Sequence, residues 1–210
     1  MLDNFILYEE FYYYKITGIL SQDYNIECVS REIKVLSELR SDRVVRYMKT
    51  WIDNNNSLYI QMEFCSDNLK NILNTKELVF NRNKHSMDTM SDIQYHISCN
   101  IFIEIIEAVY YLHNQTPPIM HRDLKPANIL FDEKGENNGV FFKLADFGLA
   151  KLYDRDTNTA GQGTHRYMAP EVWDGRYGPK ADVYSLGIIG QKDIFGFTSE
   201  KYSIFILINN

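Results

Sequence analysis

Apolar residues recur along this chain at two periods, and the places where one period gives way to the other mark its elements. Near the start, FYYYKI (Phe11 to Ile16) is dense in aromatics of high strand propensity and predicts a buried strand. From Glu27 to Leu39 the residues Val29, Ile33, Leu36 and Leu39 fall at helical spacing, so an amphipathic helix is expected with Glu32 and Leu36 on one face. RVVRYMKTWI and SLYIQMEF, joined through DNNN, predict a hairpin, and NLKNIL a short helix. The longest run is Ile93, Ile97, Ile101, Ile105, Val109 and Leu112. It predicts a helix opened by Ser91 and Gln94 at capping-box spacing and closed near His113, before Pro117 and Pro118. ILF and VFFKLA flank the turn DEKGENNG as two short strands, and ADVYSLGII starts a helix near Lys180 that Gly190 and Gly196 should interrupt. The order of elements is that of an α+β fold.

Composition narrows the picture. The chain has 210 residues, 45% hydrophobic and 24% charged, enough for a core of one domain or two lobes. A formal net charge of -6 without clustered Lys and Arg argues against nucleic-acid binding. Cys28, Cys65 and Cys99 are odd in number and scattered, so a reducing, cytoplasmic setting fits better than a disulfide framework. MLDNFILYEEFYYYK lacks the basic start and cleavage site of a signal peptide, and no apolar run reaches the roughly 18 residues of a membrane span.

The chemistry sits in HRDLKPAN, DFG, GTHRYMAPE and DVYSLG. In this order and spacing, from Tyr12 to Ile189, they resemble the eukaryotic protein kinase catalytic domain of serine/threonine type. A loop Asp or Asn taken alone reads as a turn or cap residue, but the joint spacing points elsewhere. The resemblance implies a bilobal protein-kinase-like fold: a partial small β-rich lobe over residues 1–65, a partial mainly helical large lobe over 66–189, and a divergent tail over 190–210. It implies ATP and Mg²⁺ as cofactors, with Asp123 orienting the attacking hydroxyl and Lys125 beside the transferred phosphate. Asn128 and Asp146 would offer Mg²⁺ the hard oxygen donors it prefers. Lys15 and Glu32 match the ion pair that holds the ATP phosphates; Met62 would be the gatekeeper, Glu63 and Cys65 would present backbone to the adenine edge, and Leu130 would form the pocket floor. His121 would pack on Phe147, and Asp182 would anchor the catalytic-loop backbone. Arg122 would read a phosphate on the activation segment, with Thr159 the preferred phosphorylation site, and Thr164 would bond Asp123 and Lys125.

IQMEFC, VVRYMKTWI and GTHRYMAPE are most similar, among kinases, to those acting on the alpha subunit of translation initiation factor 2. That implies this subunit as a protein substrate, a stress-response setting and a dimer through the small lobe. The sequence also departs from the family pattern. No glycine occurs among the 14 residues before Lys15, where a glycine-rich loop is expected, so the small sheet should have an uncovered edge. Tyr13 stands where a small residue is usual and would crowd the adenine roof. The sequence diverges after Ile189, and the arginine expected to pair with Glu171 is missing, which should leave that carboxylate solvated or its region loose. An active serine/threonine kinase and a catalytically impaired kinase-shaped binding module both remain open.

Overall fold

The computed structural model describes residues 4–5, 12–19, 33–54, 57–79, 90–134, 139–152, 161, 163–175 and 177–196. Its first sheet holds four strands: β1 (Asn4–Phe5), β2 (Tyr12–Ile19), β3 (Tyr47–Ile52) and β4 (Ser57–Glu63), in the order β1-β2-β4-β3. The β3–β4 hairpin is the expected one, closed by Asp53 Oδ1, which accepts from the Ser57 N–H at 2.8 Å. β2 lies antiparallel to β4, with Tyr13 opposite Met62 and Lys15 opposite Ile60. The open edge expected beside β2 is partly covered, because Asn4 and Phe5 pair with Ile16 and Lys15.

Of the predicted first helix, residues 33–38 (α1) are described and helical, and they bury Val35 and Leu36. After β4 the chain passes through β5 (Asp67–Asn68) into α2 (Leu69–Val79), which runs further than NLKNIL suggested. α3 (Asp92–His113) has the expected capping box: Ser91 Oγ accepts from Gln94 N–H, and Gln94 Oε1 accepts from Ser91 N–H at 2.9 Å. The buried stripe is not the predicted one at its start. Ile93 and Ile97 are exposed, while Gln94, held by its bond to Ser91 N–H, and Ser98, reached by Lys76 of α2, face inward. From Ile101 onward the isoleucine line is buried as expected, through Ile105, Val109 and Leu112.

β6 (Ile119–Met120) precedes the catalytic loop, and β7 (Ile129–Phe131) and β8 (Phe142–Leu144) follow it as a short hairpin to which β5 adds a third strand. β9 (Lys151–Leu152) returns to pair with β6. α4 (Lys180–Ile188) continues through a π-helical turn, Ile189–Ile194. Gly190 therefore widens the helix rather than ending it, and a Cβ there would meet the Phe102 ring at 2.7 Å. Gly196, at φ 67°, does end it.

The sheet and the helices share one core. Val35, Leu36, Val44, Ile60 and Met62 belong to the same buried cluster as Ile105, Leu112, Phe147, Leu186 and Ile189. A backbone seam crosses it: Leu144 N–H donates to Arg43 O and Val45 N–H to Leu144 O, both at 2.9 Å, with Arg43 also paired to Glu107 of α3 at 2.6 Å. Among the described residues no helix is long and apolar enough to cross a membrane.

Candidate active site

Asp182 anchors the loop that leads into Asp123. Almost fully buried on the first turn of α4, its carboxylate accepts from the His121 N–H at 2.8 Å and the Arg122 N–H at 2.9 Å, and contacts His113 Nε2 at 2.9 Å. The expected anchoring role is therefore present, with His113 as an added partner that the sequence reading treated only as a helix end. His121 packs on Phe147 with ring centroids 5.0 Å apart. Its Nε2 meets Ala145 O at 2.9 Å and its Nδ1 accepts from the Asp123 N–H at 3.4 Å, so the ring donates at Nε2 and accepts at Nδ1.

These bonds hold a strained turn. Among described non-glycine residues only Arg122 (φ 72°) and Asp146 (φ 63°) have positive φ, and they flank the site in the two loops that form it. Arg122 is buried, its guanidinium over the Tyr177 ring at 5.4 Å. Thr159, the phosphate position proposed for it to read, lies outside the described residues.

Asp123 is the hub. Its Oδ1 accepts from Thr164 N–H (2.9 Å) and Thr164 Oγ1–H (2.6 Å); its Oδ2 accepts from Lys125 Nζ (2.6 Å) and Asn128 Nδ2 (3.1 Å). Asn128 Nδ2 also donates to Asp123 O at 2.9 Å, and Lys125 Nζ reaches Thr164 Oγ1 at 3.3 Å. Three predicted residues, Lys125, Asn128 and Thr164, thus converge through four hydrogen bonds on the carboxylate of a fourth, Asp123. Asp146 is brought alongside because the preceding residue, Ala145, donates its N–H to Asn128 O at 3.0 Å.

The chemistry of this donor set fits Mg²⁺. Asn128 spends its amide nitrogen on Asp123, which leaves Oδ1 without a hydrogen bond among the described residues, and the next loop, tied to Asn128 through Ala145 N–H, carries the carboxylate of Asp146. Two such oxygens suit an ion that keeps several waters and takes the rest of its shell from phosphate. Among the described residues no group of three His, Cys, Asp or Glu side chains could hold a metal by itself.

The rest of the expected site is placed unevenly. Met62 is buried, Leu130 half-buried, and Glu63 and Cys65 end β4 and follow it. Burial, reinforced by the Glu63 charge and opposed by Lys143, pushes the Cys65 thiol from its ordinary 9.0 up to about 12. The Lys15 backbone sits in β2 opposite Ile60; Glu32, like Thr157, lies outside the described residues. Glu171 is half-buried, and among the described residues no cation lies within salt-bridge distance of it. Arg166 instead pairs with Asp193 of the π-turn at 2.7 Å. Two residues went unnoticed in the sequence: Gly163, whose Cβ would fall 2.6 Å from Arg122 O, and the fully buried Lys143.

A sheet-bearing part and a helical part, with the segments carrying Lys125, Asn128 and Thr164 gathered on one aspartate and the Asp146 loop tied to Asn128, define a fold of the protein kinase class. Residues 10–198 match the protein kinase domain family, and the chain belongs to it. It is similar to eukaryotic translation initiation factor 2-alpha kinase 3 of Rattus norvegicus, at 34% identity over 159 residues, covering 68% of this chain and 13% of that protein. It is equally similar, at 34%, to cyclin-dependent kinase 12 of Caenorhabditis elegans over 171 residues, covering 75% of this chain and 21% of that one. The crystal structure of the yeast RNA Pol II CTD kinase CTDK-1 complex contains a chain that matches 91% of this one at 25% identity and TM-score 0.69; the match spans 57% of that chain. The chain thus spans about a fifth or less of the length of these two kinases and just over half of the chain in that complex.

Proposed function

We propose that this domain transfers the terminal phosphate of ATP, held with Mg²⁺, to a serine or threonine hydroxyl of a protein. The observation that carries the reading is the four-way convergence on Asp123. An incoming hydroxyl would replace Thr164 Oγ1 at Asp123 Oδ1, where the carboxylate orients its proton, while Lys125 Nζ offers positive charge to the moving phosphoryl group. Asn128 and Asp146 would hold the metal, which supplies charge neutralisation on the phosphates. Cys65 N–H and C=O make no hydrogen bond among the described residues, which suits an adenine edge seeking backbone partners beside Met62 and Leu130.

The test is incorporation of radiolabelled phosphate from ATP with Mg²⁺ by the wild type and by Asp123→Asn. Loss of about a hundredfold or more in the variant is expected; equal incorporation would overturn the reading. Within it, the alpha subunit of translation initiation factor 2 is the preferred substrate, supported by the likeness to IQMEFC and GTHRYMAPE-bearing kinases and by the similarity to the rat kinase named for it. That preference fails if the subunit is labelled no faster than a generic basic protein. A cytoplasmic setting, consistent with the free thiols Cys65 and Cys99, and pairing through the small lobe belong to the same proposal.

A second reading, a kinase-shaped binding module, draws on the register that sets Tyr13 opposite Met62, where a large residue would narrow the adenine site. Absence of any Mg-ATP binding by the wild type would favour it.

A further inference from the structure

Lys143 is the one lysine among the large fully buried side chains of the described residues, and nothing in the phosphoryl-transfer reading uses it. Its ammonium donates to Glu63 Oε2 at 2.9 Å and lies 3.1 Å from Asp132 Oδ2. Burial pushes its pKa down, but the hydrogen bond and charge of Glu63, with help from Asp132, more than reverse this, so it stays charged. Buried charge clusters of this kind seldom add stability over apolar packing, and in some proteins what they fix is geometry.

Here the geometry is specific. Glu63 is the last residue of β4, clamped also by its Oε1 to Arg46 N–H at 2.7 Å and by its own N–H to Arg46 O at 3.0 Å. Asp132 directly follows β7, and its N–H donates to Phe141 O at 2.8 Å. Beyond Glu63, Asp67 and Asn68 pair with Phe131 and Leu130. Residues 64–66 are therefore pinned at both ends to the β7–β8 hairpin: at one end through Lys143, at the other through strand pairing. Lys143 is the register partner of Leu130, so the side chain that grips Glu63 and the expected floor of the adenine site lie on the same face of that hairpin.

We propose that Lys143 is a positioning residue for base selection: by tying Glu63 to the strand that carries Leu130, it sets the spacing between pocket floor and the backbone that reads the base. This rests on the nucleotide reading above. Adenine offers a donor and then an acceptor on its edge, and guanine the reverse, so a shift of the 64–66 backbone removes the preference before it removes binding of the phosphates.

The test is calorimetric binding of Mg-ADP and Mg-GDP to the full chain, comparing wild type, Lys143→Met, and the charge-free triple variant Lys143→Met, Glu63→Gln, Asp132→Asn. The triple variant leaves no charge of the cluster unpaired, so a fold is retained for measurement if the single variant does not fold. Wild type should prefer ADP, and both variants should lose about tenfold in ADP affinity with GDP affinity almost unchanged. A purely structural lysine would lower the melting temperature and leave the ADP-to-GDP ratio as it was, which would overturn the proposal. If wild type binds ADP selectively and the variants do too, only the role of Lys143 falls. If wild type binds neither nucleotide, the nucleotide reading falls and takes this one with it.

Discussion

At the residue scale, the site is made from few atoms under tight constraint. Gly163 sits at φ +122°, and an added Cβ would press within 2.6 Å of Arg122 O, on a residue already in a left-handed conformation. Gly163→Ala should cost about 1–3 kcal/mol in urea denaturation and reduce phosphate transfer more than the lost stability explains, since it pushes the catalytic loop. Asp182→Asn keeps the shape but cannot accept from both backbone N–H groups and His113 through a charged group. A loss of about 2 kcal/mol is expected, read as a lower midpoint in the same titration. Cys65 makes a chemical prediction. Its pKa is raised in the fold to about 12, so the stability it contributes is whole below its ordinary 9.0 and drains away between about 9 and 12 as the thiol of the unfolded chain ionises first. Alkylation at pH 8 should accordingly be much slower in the native protein than in urea; equal rates would contradict the burial described.

At the scale of elements, α3 shows what could and could not be read from the chain. Its capping box and its end were legible because both depend on neighbours in sequence: Ser91 with Gln94, His113 before the prolines. Ser91→Ala should cost about 1 kcal/mol, measured by chemical denaturation. The inward turn of Ser98 was not legible, because Lys76, which bonds it, belongs to another helix. The same holds at the site. Asp123, Lys125, Asn128 and Asp146 announce themselves by spacing within two short loops. Lys143 does not, since Glu63 is 80 positions away, and His113 meets Asp182 across 69. The continuation of α4 past Gly190 was hidden for a similar reason: only the Phe102 ring of α3 explains why a residue without a side chain belongs there.

At the scale of the molecule, the sheet and the helices are joined by a common core and by the Arg43–Val45 seam to Leu144. The two tryptophans report on opposite parts, Trp51 in β3 and Trp173 beyond the activation segment. Single-tryptophan variants, Trp51→Phe and Trp173→Phe, should therefore unfold at coincident urea midpoints; separated midpoints would mean that the parts melt independently.

The amide of Asn128 carries a last implication. Its nitrogen donates once to the backbone oxygen of Asp123 and once to the carboxylate, so the side chain that would steer a proton also helps to aim the amide oxygen. Replacing that aspartate would therefore take away one of the two tethers on the amide and leave the backbone one in place.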